Sequence, residues 1–255
     1  MVDELTGRDP DADAAGDPPA TPAVLPYPDD AGGMVSGHRP ASASGSAITE
    51  SPEHDWAAAG ALVFPFLRPP GTTGADPHIP FDVLRSTRAN YTVPLVTPGP
   101  CGLVVSFALQ GGGFDILVNA EHLLSWGIDA ATLASQAGAN LAAWSARAEW
   151  TDETSGSRRI LSSDTGTGHD AARILLSEVR AHLARELAAG AAPGTRVLVG
   201  MPERHLLLAA AVGPDDEAFA TLFQAFVLEH FEDSDEHVDR RVFELVHGEL
   251  TEYAG

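Results

Sequence analysis

The chain has 255 residues, of which 36 are Asp or Glu and 15 are Arg, with no Lys, so its formal net charge is -21. This charge argues against sequence-independent binding to nucleic acid, which needs clustered Lys and Arg, and against an anionic membrane surface. No apolar run approaches the ~20 residues that span a bilayer. The acidic N-terminus predicts no secretory signal, and the single Cys101 excludes an internal disulfide. Composition therefore predicts a soluble cytoplasmic protein.

Acidic residues are concentrated at both ends of the chain. Residues 1–55 hold 11 acids and two Arg, residues 215–255 hold 12 acids and two Arg, and residues 56–214 are nearly neutral. The first 55 residues are also rich in Pro, Gly, Ala and Ser, a composition that buries too little apolar surface to offset chain entropy. We expect a disordered acidic tail over 1–55 and a single domain over 56–255.

The sequence predicts strands in the first part of the domain. GALVFPFLRPP is an apolar run stopped by two prolines, and FDVLRST and YTVPLVT alternate as strands do. The β-rich runs 103–109 and 114–118 flank three glycines, which predicts a hairpin.

Helices follow the hairpin. One is predicted over 120–126, and a second begins after Asp129, where Leu133, Ala137 and Leu141 recur at helical spacing. SRRILSSD is a short strand. The strongest helical pattern enters at Gly168 and stops at Gly190.

The last part of the domain mixes strands and helices. TRVLVGMP and HLLLAAAV read as two strands joined by a tight turn, and DDEAFATLFQAFVLEHF reads as a helix. The predicted apolar stripe of that helix is Phe219, Leu222, Phe223, Phe226 and Val227. RVFELVHGELTEY fits either a helix or a hairpin. Because strict βαβ repetition is absent, the fold class is α+β, with a mixed or antiparallel sheet packed against several helices.

A glycine-rich turn offers one candidate site. Thr165 to Gly168 leads into a predicted helix, whose N-terminal N–H groups can hold a phosphate or a carboxylate. The turn lacks the GK[ST] of a P-loop, and Asp170 instead fits the first turn of the helix, where its loss would cost ~0.5–2 kcal/mol. The candidate anion-binding residues are Arg85, Thr165, Gly168, Asp170, Arg173 and Arg204. Arg88, Arg158 and Arg159 could form an anion-binding face with Arg85 and Arg204, but the default explanation for these arginines is ion pairing with the chain's own excess of acids.

A second candidate site is the acidic segment FEDSDEH. Glu232, Asp233, Asp235 and Glu236 follow the Phe-rich helix and are candidates for contact with a basic protein partner. The chain has no HExxH motif and no GxSxG elbow, so we expect no metal, no cofactor and no catalytic residues.

The order of these segments resembles the YtpQ-like family of uncharacterised bacterial proteins. The similarity covers residues 81–212 and is most specific in the segment Gly168, Asp170, Ala171, Arg173, Ile174 and Leu175. At the strand turn after Pro202, Arg204 or His205 stands where the family has Asp. The resemblance implies a bacterial cytoplasmic α+β domain and transfers no active site.

These observations favour a non-catalytic protein that acts by protein–protein interaction, its acidic ends selecting a basic partner. The alternative is a small-anion binder or enzyme that uses the turn at 165–170 with nearby Arg residues.

Overall fold

The structure is a computed structural model that describes residues 52–78, 80, 83, 92–111 and 114–255. The predicted tail up to residue 51 and most of the FDVLRST strand, with Arg85 and Arg88, lie outside these residues. Ten strands are described, namely β1 (Val63–Arg68), β2 (Val96–Pro98), β3 (Val104–Gly111), β4 (Phe114–Leu117), β5 (Thr151–Ser155), β6 (Arg158–Ser163), β7 (Arg196–Gly200), β8 (Leu207–Val212), β9 (Val242–Val246) and β10 (Glu249–Glu252).

Five α-helices lie wholly within the described residues. They are α1 (Trp56–Ala59), α2 (Ala120–Trp126), α3 (Ala130–Ser145), α4 (Ser177–Ala188) and α5 (Glu217–Asp233), and two short 3₁₀ helices cover Pro100–Gly102 and Ala171–Leu175. In the described part of the chain, no helix is both long and apolar enough to cross a bilayer. The mixture of helices and sheets confirms the α+β class.

The strands form two antiparallel sheets. In the first, β3 is central, with β1 on one side and β2 and β4 on the other. The second has six strands in the order β10-β9-β7-β8-β6-β5. The β3–β4 hairpin lies where the sequence predicts it, and Asp129 caps α3 by accepting a hydrogen bond from the Thr132 amide. All strand pairs are antiparallel; β5–β6 and β9–β10 are hairpins, whereas helical segments connect β6 to β7 and β8 to β9.

The C-terminal segment, for which the sequence allows two structures, is a hairpin. Val246 pairs with Glu249, which leaves His247 and Gly248 as a two-residue loop with φ of 51° and 83°. Two successive positive φ angles match the right-handed twist of the flanking strands. The conformation of this turn therefore favours the hairpin, although the sequence also has the propensity to form a helix.

The six-stranded sheet is covered by different elements on its two faces. Leu207 and Ala209 of β8 join the larger core, which also contains α4 and the first sheet. Leu208 and Ala210 alternate with them and pack in a second core with α5.

The predicted stripe of α5 is wrong in part. Phe219, Phe223 and Val227 are buried against the sheet, but Leu222 is 58% exposed and Phe226 is 42% exposed. A single helix packed on one face of a sheet buries a narrower arc of its surface than the apolar pattern in the sequence indicates. The two exposed side chains lie on one flank of α5.

The helix predicted from Gly168 is also wrong at its start. Residues Ala171–Leu175 form a 3₁₀ helix, Leu176 is extended, and the α-helix begins only at Ser177. Asp170 has no capping hydrogen bond to a backbone amide. Its side chain, like that of Arg173, instead takes part in a buried polar cluster that holds the segment away from a regular helix.

Candidate functional site

A buried polar cluster lies where the glycine-rich turn meets β6 and the end of α3. Asp170 is fully buried and accepts hydrogen bonds from the hydroxyls of Ser163 (2.5 Å) and Thr165 (2.8 Å). The Ser163 hydroxyl in turn accepts from the Arg173 guanidinium at 2.6 Å. Ser163 therefore links a buried carboxylate to a buried guanidinium.

The Arg173 guanidinium is fully used inside the protein. It is 1% exposed, and its five N–H groups donate to the hydroxyls of Ser145 and Ser163 and to the carbonyls of Ser145, Ala148 and Glu149. Five is the full donor capacity of a guanidinium. Arg173 has no donor left for an external anion.

Arg173 is buried beside an aromatic ring, and its charge state depends on burial and on Asp170. Its guanidinium carbon lies 3.9 Å from the ring centroid of Trp150, a cation–π distance. Desolvation lowers the pKa of Arg173 to about 10, and the negative charge of Asp170 acts in the opposite direction. Arg173 therefore remains charged at neutral pH and is balanced by Asp170.

The glycine-rich turn itself is closed by side chains. The Thr165 and Thr167 hydroxyls are 2.9 Å apart, and Gly168 has φ of 80°. A Cβ on Gly168 would lie within 2.4 Å of the Arg204 guanidinium, so this position needs glycine for space as well as for conformation. The Arg204 side chain occupies the surface of the turn.

Arg204 is also held by two carboxylates. It donates to Asp115 of β4 at 2.5 Å and to Glu236 at 2.8 Å, and the Glu236 carboxylate is 2.7 Å from the His205 ring. Burial raises the pKa of Glu236, but the hydrogen bonds from Arg204 and His205 lower it by more. The pKa of Glu236 therefore lies below its usual value. This ion-pair cluster joins the first sheet to the β7–β8 turn and to the loop after α5.

Other candidate arginines are paired with the chain's own acids. Arg158 makes a bidentate contact with Asp216, both distances being 2.8 Å, and Arg159 contacts Asp152 at 2.7 Å. The structure thus brings Thr165, Gly168, Asp170, Arg173 and Arg204 together, and every guanidinium among them is engaged internally.

His169 is the residue of this region that sequence reasoning missed. It is 2% exposed, its ring stacks on Phe64 with centroids 4.0 Å apart, and Nε2 is 2.8 Å from Gln110 Oε1. Burial, and then the positive charge of Arg204, lower the pKa of His169 to about 4. Its aromatic neighbours Phe64 and Trp144 are distant in sequence, so no local pattern marks it.

The acidic segment after α5 divides into free and paired carboxylates. In the described part of the chain, Glu232, Asp233 and Asp235 form no salt bridge and no side-chain hydrogen bond, and all three are exposed. Glu236 differs because Arg204 and His205 hold it. No group of three or more His, Cys, Asp or Glu in the described residues is arranged to hold a metal ion.

Free carboxylates and exposed apolar side chains lie side by side on α5. Leu222 and Phe226 are one turn apart on the helix, and Phe226 contacts the ring of His230 at 4.4 Å. Glu229 and Asp233 follow at seven-residue spacing on the same flank. We call this flank, with Glu232 and Asp235, the α5 surface.

No family model matches the chain, and no curated protein or solved structure is significantly similar to it. The resemblance to the YtpQ-like family stays a prediction from the residues quoted above.

Proposed function

We propose that the protein is a non-catalytic binding protein whose α5 surface recognises a basic and partly apolar protein partner. The observation that carries this proposal is the combination of exposed Leu222 and Phe226 with the unpaired carboxylates of Glu232, Asp233 and Asp235. Exposed apolar side chains rimmed by charge are typical of interaction surfaces.

The net negative charge of the chain favours a positively charged partner. The net charge is -21, and residues 215–255 contribute 12 acids against two Arg. Of these two, Arg241 is neutralised by Asp239 and Glu252. A field of this sign accelerates encounter with a basic surface and disfavours acidic partners.

The observations do not favour the anion-binding alternative. An anion site needs free N–H donors or an unpaired cation. All five N–H groups of Arg173 donate hydrogen bonds to oxygen atoms of the protein, and Arg204 is paired with Asp115 and Glu236. The buried cluster instead supports a structural role for the glycine-rich turn.

Quantitative affinity capture from the source cell tests the proposal. The bait is the full chain, and the test variant combines Glu232→Gln, Asp233→Asn and Asp235→Asn. The control variant combines Glu121→Gln, Glu149→Gln and Glu249→Gln, three exposed carboxylates away from the α5 surface. Both variants change the net charge equally.

We expect a basic protein that the wild-type chain and the control variant recover and the test variant loses by about tenfold. Recovery should also fall between about 50 and about 150 mM salt, because exposed charges are screened over ~8–10 Å. Recovery that is indifferent to salt and equal for the two variants would contradict the proposal.

A further inference from the structure

One side of the six-stranded sheet is only partly covered. On the face that holds the second core, α5 packs on β7 and β8. Strands are spaced about 4.8 Å apart and a helix with its side chains is about 10 Å wide, so one helix covers about two strands. The remaining strands β6 and β5 leave room for one more helix beside α5.

The floor of this space is built from alternate residues of β6 and β5. Ile160 is opposite Ala210 of β8 and packs at the edge of the second core, and Glu153 is opposite Ile160. Residues directly opposite share one face of a sheet. Thr151, Glu153 and Ser155 are all exposed on this face.

The wall of the space is the flank of α5 that carries Leu222 and Phe226. Gln224, on the other flank, lies beside the C-terminal Gly255, which follows β10. Phe219 lies beneath the Arg158 guanidinium of β6, with Arg158 5.0 Å from its ring centroid. These two contacts turn Leu222 and Phe226 toward β6 and β5, and the result is a groove between α5 and the edge strand β5.

The groove has one apolar floor residue, Ile160, which lies between the polar Arg158 and Ser162 of β6; its wall is apolar and its rim is acidic. Ile160, Leu222 and Phe226 line the middle, and Glu153 at the outer edge has no salt bridge within the described residues. Glu229 and Asp233 continue the wall toward the end of α5. The cation at the other end, Arg158, is neutralised by Asp216.

We infer that this groove receives an amphipathic helix of the basic partner, which completes the helical layer over β6 and β5. This inference rests on the proposed function. Charge selects the occupant, because residues 1–51 of this chain hold nine acids and two Arg, and a second copy also carries -21. The N-terminal segment and a second copy are both negatively charged, so the acidic rim would repel either of them. A helix with an apolar stripe at i, i+3, i+4 and i+7 and Lys or Arg beside it matches the groove in shape and sign.

A designed peptide tests the groove directly. The probe is a helical peptide of about 18 residues, close to the length of α5, with Leu at i, i+3, i+4 and i+7 and Lys on the flanks. A second peptide keeps every Lys and replaces every Leu with Ser. Fluorescence anisotropy with the full chain measures the Kd of each, and circular dichroism checks that each protein variant is folded.

Three variants locate the binding. The Leu222→Ser/Phe226→Ser double variant should weaken binding of the Leu peptide by about tenfold or more, since both partly exposed side chains lose their apolar contact with the peptide. Glu153→Arg should weaken it by about threefold or more through charge reversal at the rim. The matched control is Leu228→Ser, which changes a 40% exposed leucine on the other flank of α5 and should leave the Kd within about twofold.

The outcomes separate the groove from the proposed function. If the double variant and the triple carboxylate variant weaken binding but Glu153→Arg leaves the Kd within about twofold, the groove inference is overturned and the proposed function stands. Equal affinity for the Leu and Ser peptides also overturns the groove. If neither apolar nor carboxylate variants change the Kd, both proposals fail.

Discussion

Replacing Asp170 with alanine removes the carboxylate that faces the buried Arg173 guanidinium through Ser163. Asp170 is fully buried and Arg173 is 1% exposed, so the charge left behind has little access to water. Removing one partner of a buried charge pair costs about 3–5 kcal/mol of unfolding free energy. Capping of a helix would cost only ~0.5–2 kcal/mol, so the magnitude separates the two roles.

The assay for Asp170→Ala is urea unfolding followed by circular dichroism at neutral pH. Asp170→Asn keeps the shape and part of the hydrogen bonding to Ser163 and Thr165, and it should lose less stability than alanine. Asp164→Ala is the matched control, since Asp164 is an exposed neighbour and its loss should stay within about 0.5 kcal/mol. A cost of about 1 kcal/mol or less for Asp170→Ala would refute the buried-pair interpretation.

Two more predictions follow from burial and close packing, and a third follows from the amino-acid composition of residues 1–51. Burial holds the pKa of His169 at about 4 in the folded chain against 6.5 when unfolded, so between these values the unfolded chain binds more protons and stability falls as pH falls. Urea unfolding should show about 2.5 kcal/mol more loss from pH 7.5 to 4.5 for the wild type than for His169→Asn, and equal pH dependence would contradict this. Gly200→Ala should lower the free energy of unfolding by about 1–3 kcal/mol, because its Cβ would lie 2.4 Å from Val227 of α5. An unchanged melting temperature would contradict this, since it would show that α5 can shift away from the sheet without loss of stability. Deleting residues 1–51 should change stability by about 1 kcal/mol or less, and a collapse of the thermal transition would show that this segment packs on the domain.

Sequence reasoning works best where turn chemistry and periodicity agree. Glycines between two β-rich runs mark the β3–β4 hairpin, and Asp129 before an apolar pattern marks the start of α3. In contrast, β5 has the sequence TDETS and every residue is exposed, so it carries no apolar alternation to find. Its place in the sheet depends on pairing with β6 alone.

The candidate site is harder to predict because its energetics are non-local. Asp170 and Arg173 have the spacing of a regular helix, and only the folded chain brings Ser145, Ser163 and Trp150 to them. These contacts replace the α-helix over Ala171–Leu175 with a 3₁₀ turn. Likewise, helical spacing places Phe219 and Leu222 in one stripe, but the width of the sheet contact decides that only Phe219 is buried.

Hydrogen–deuterium exchange of the full chain, alone and with the basic protein recovered by affinity capture, tests the central claim most directly. Binding should slow amide exchange along 217–235 and in Thr151–Ser155, because the partner covers the flank of α5 and the adjacent edge strand. Exchange in the glycine-rich turn at 165–170 should not change. Protection confined to that turn, with 217–235 unaffected, would contradict the account and favour a ligand site at the turn.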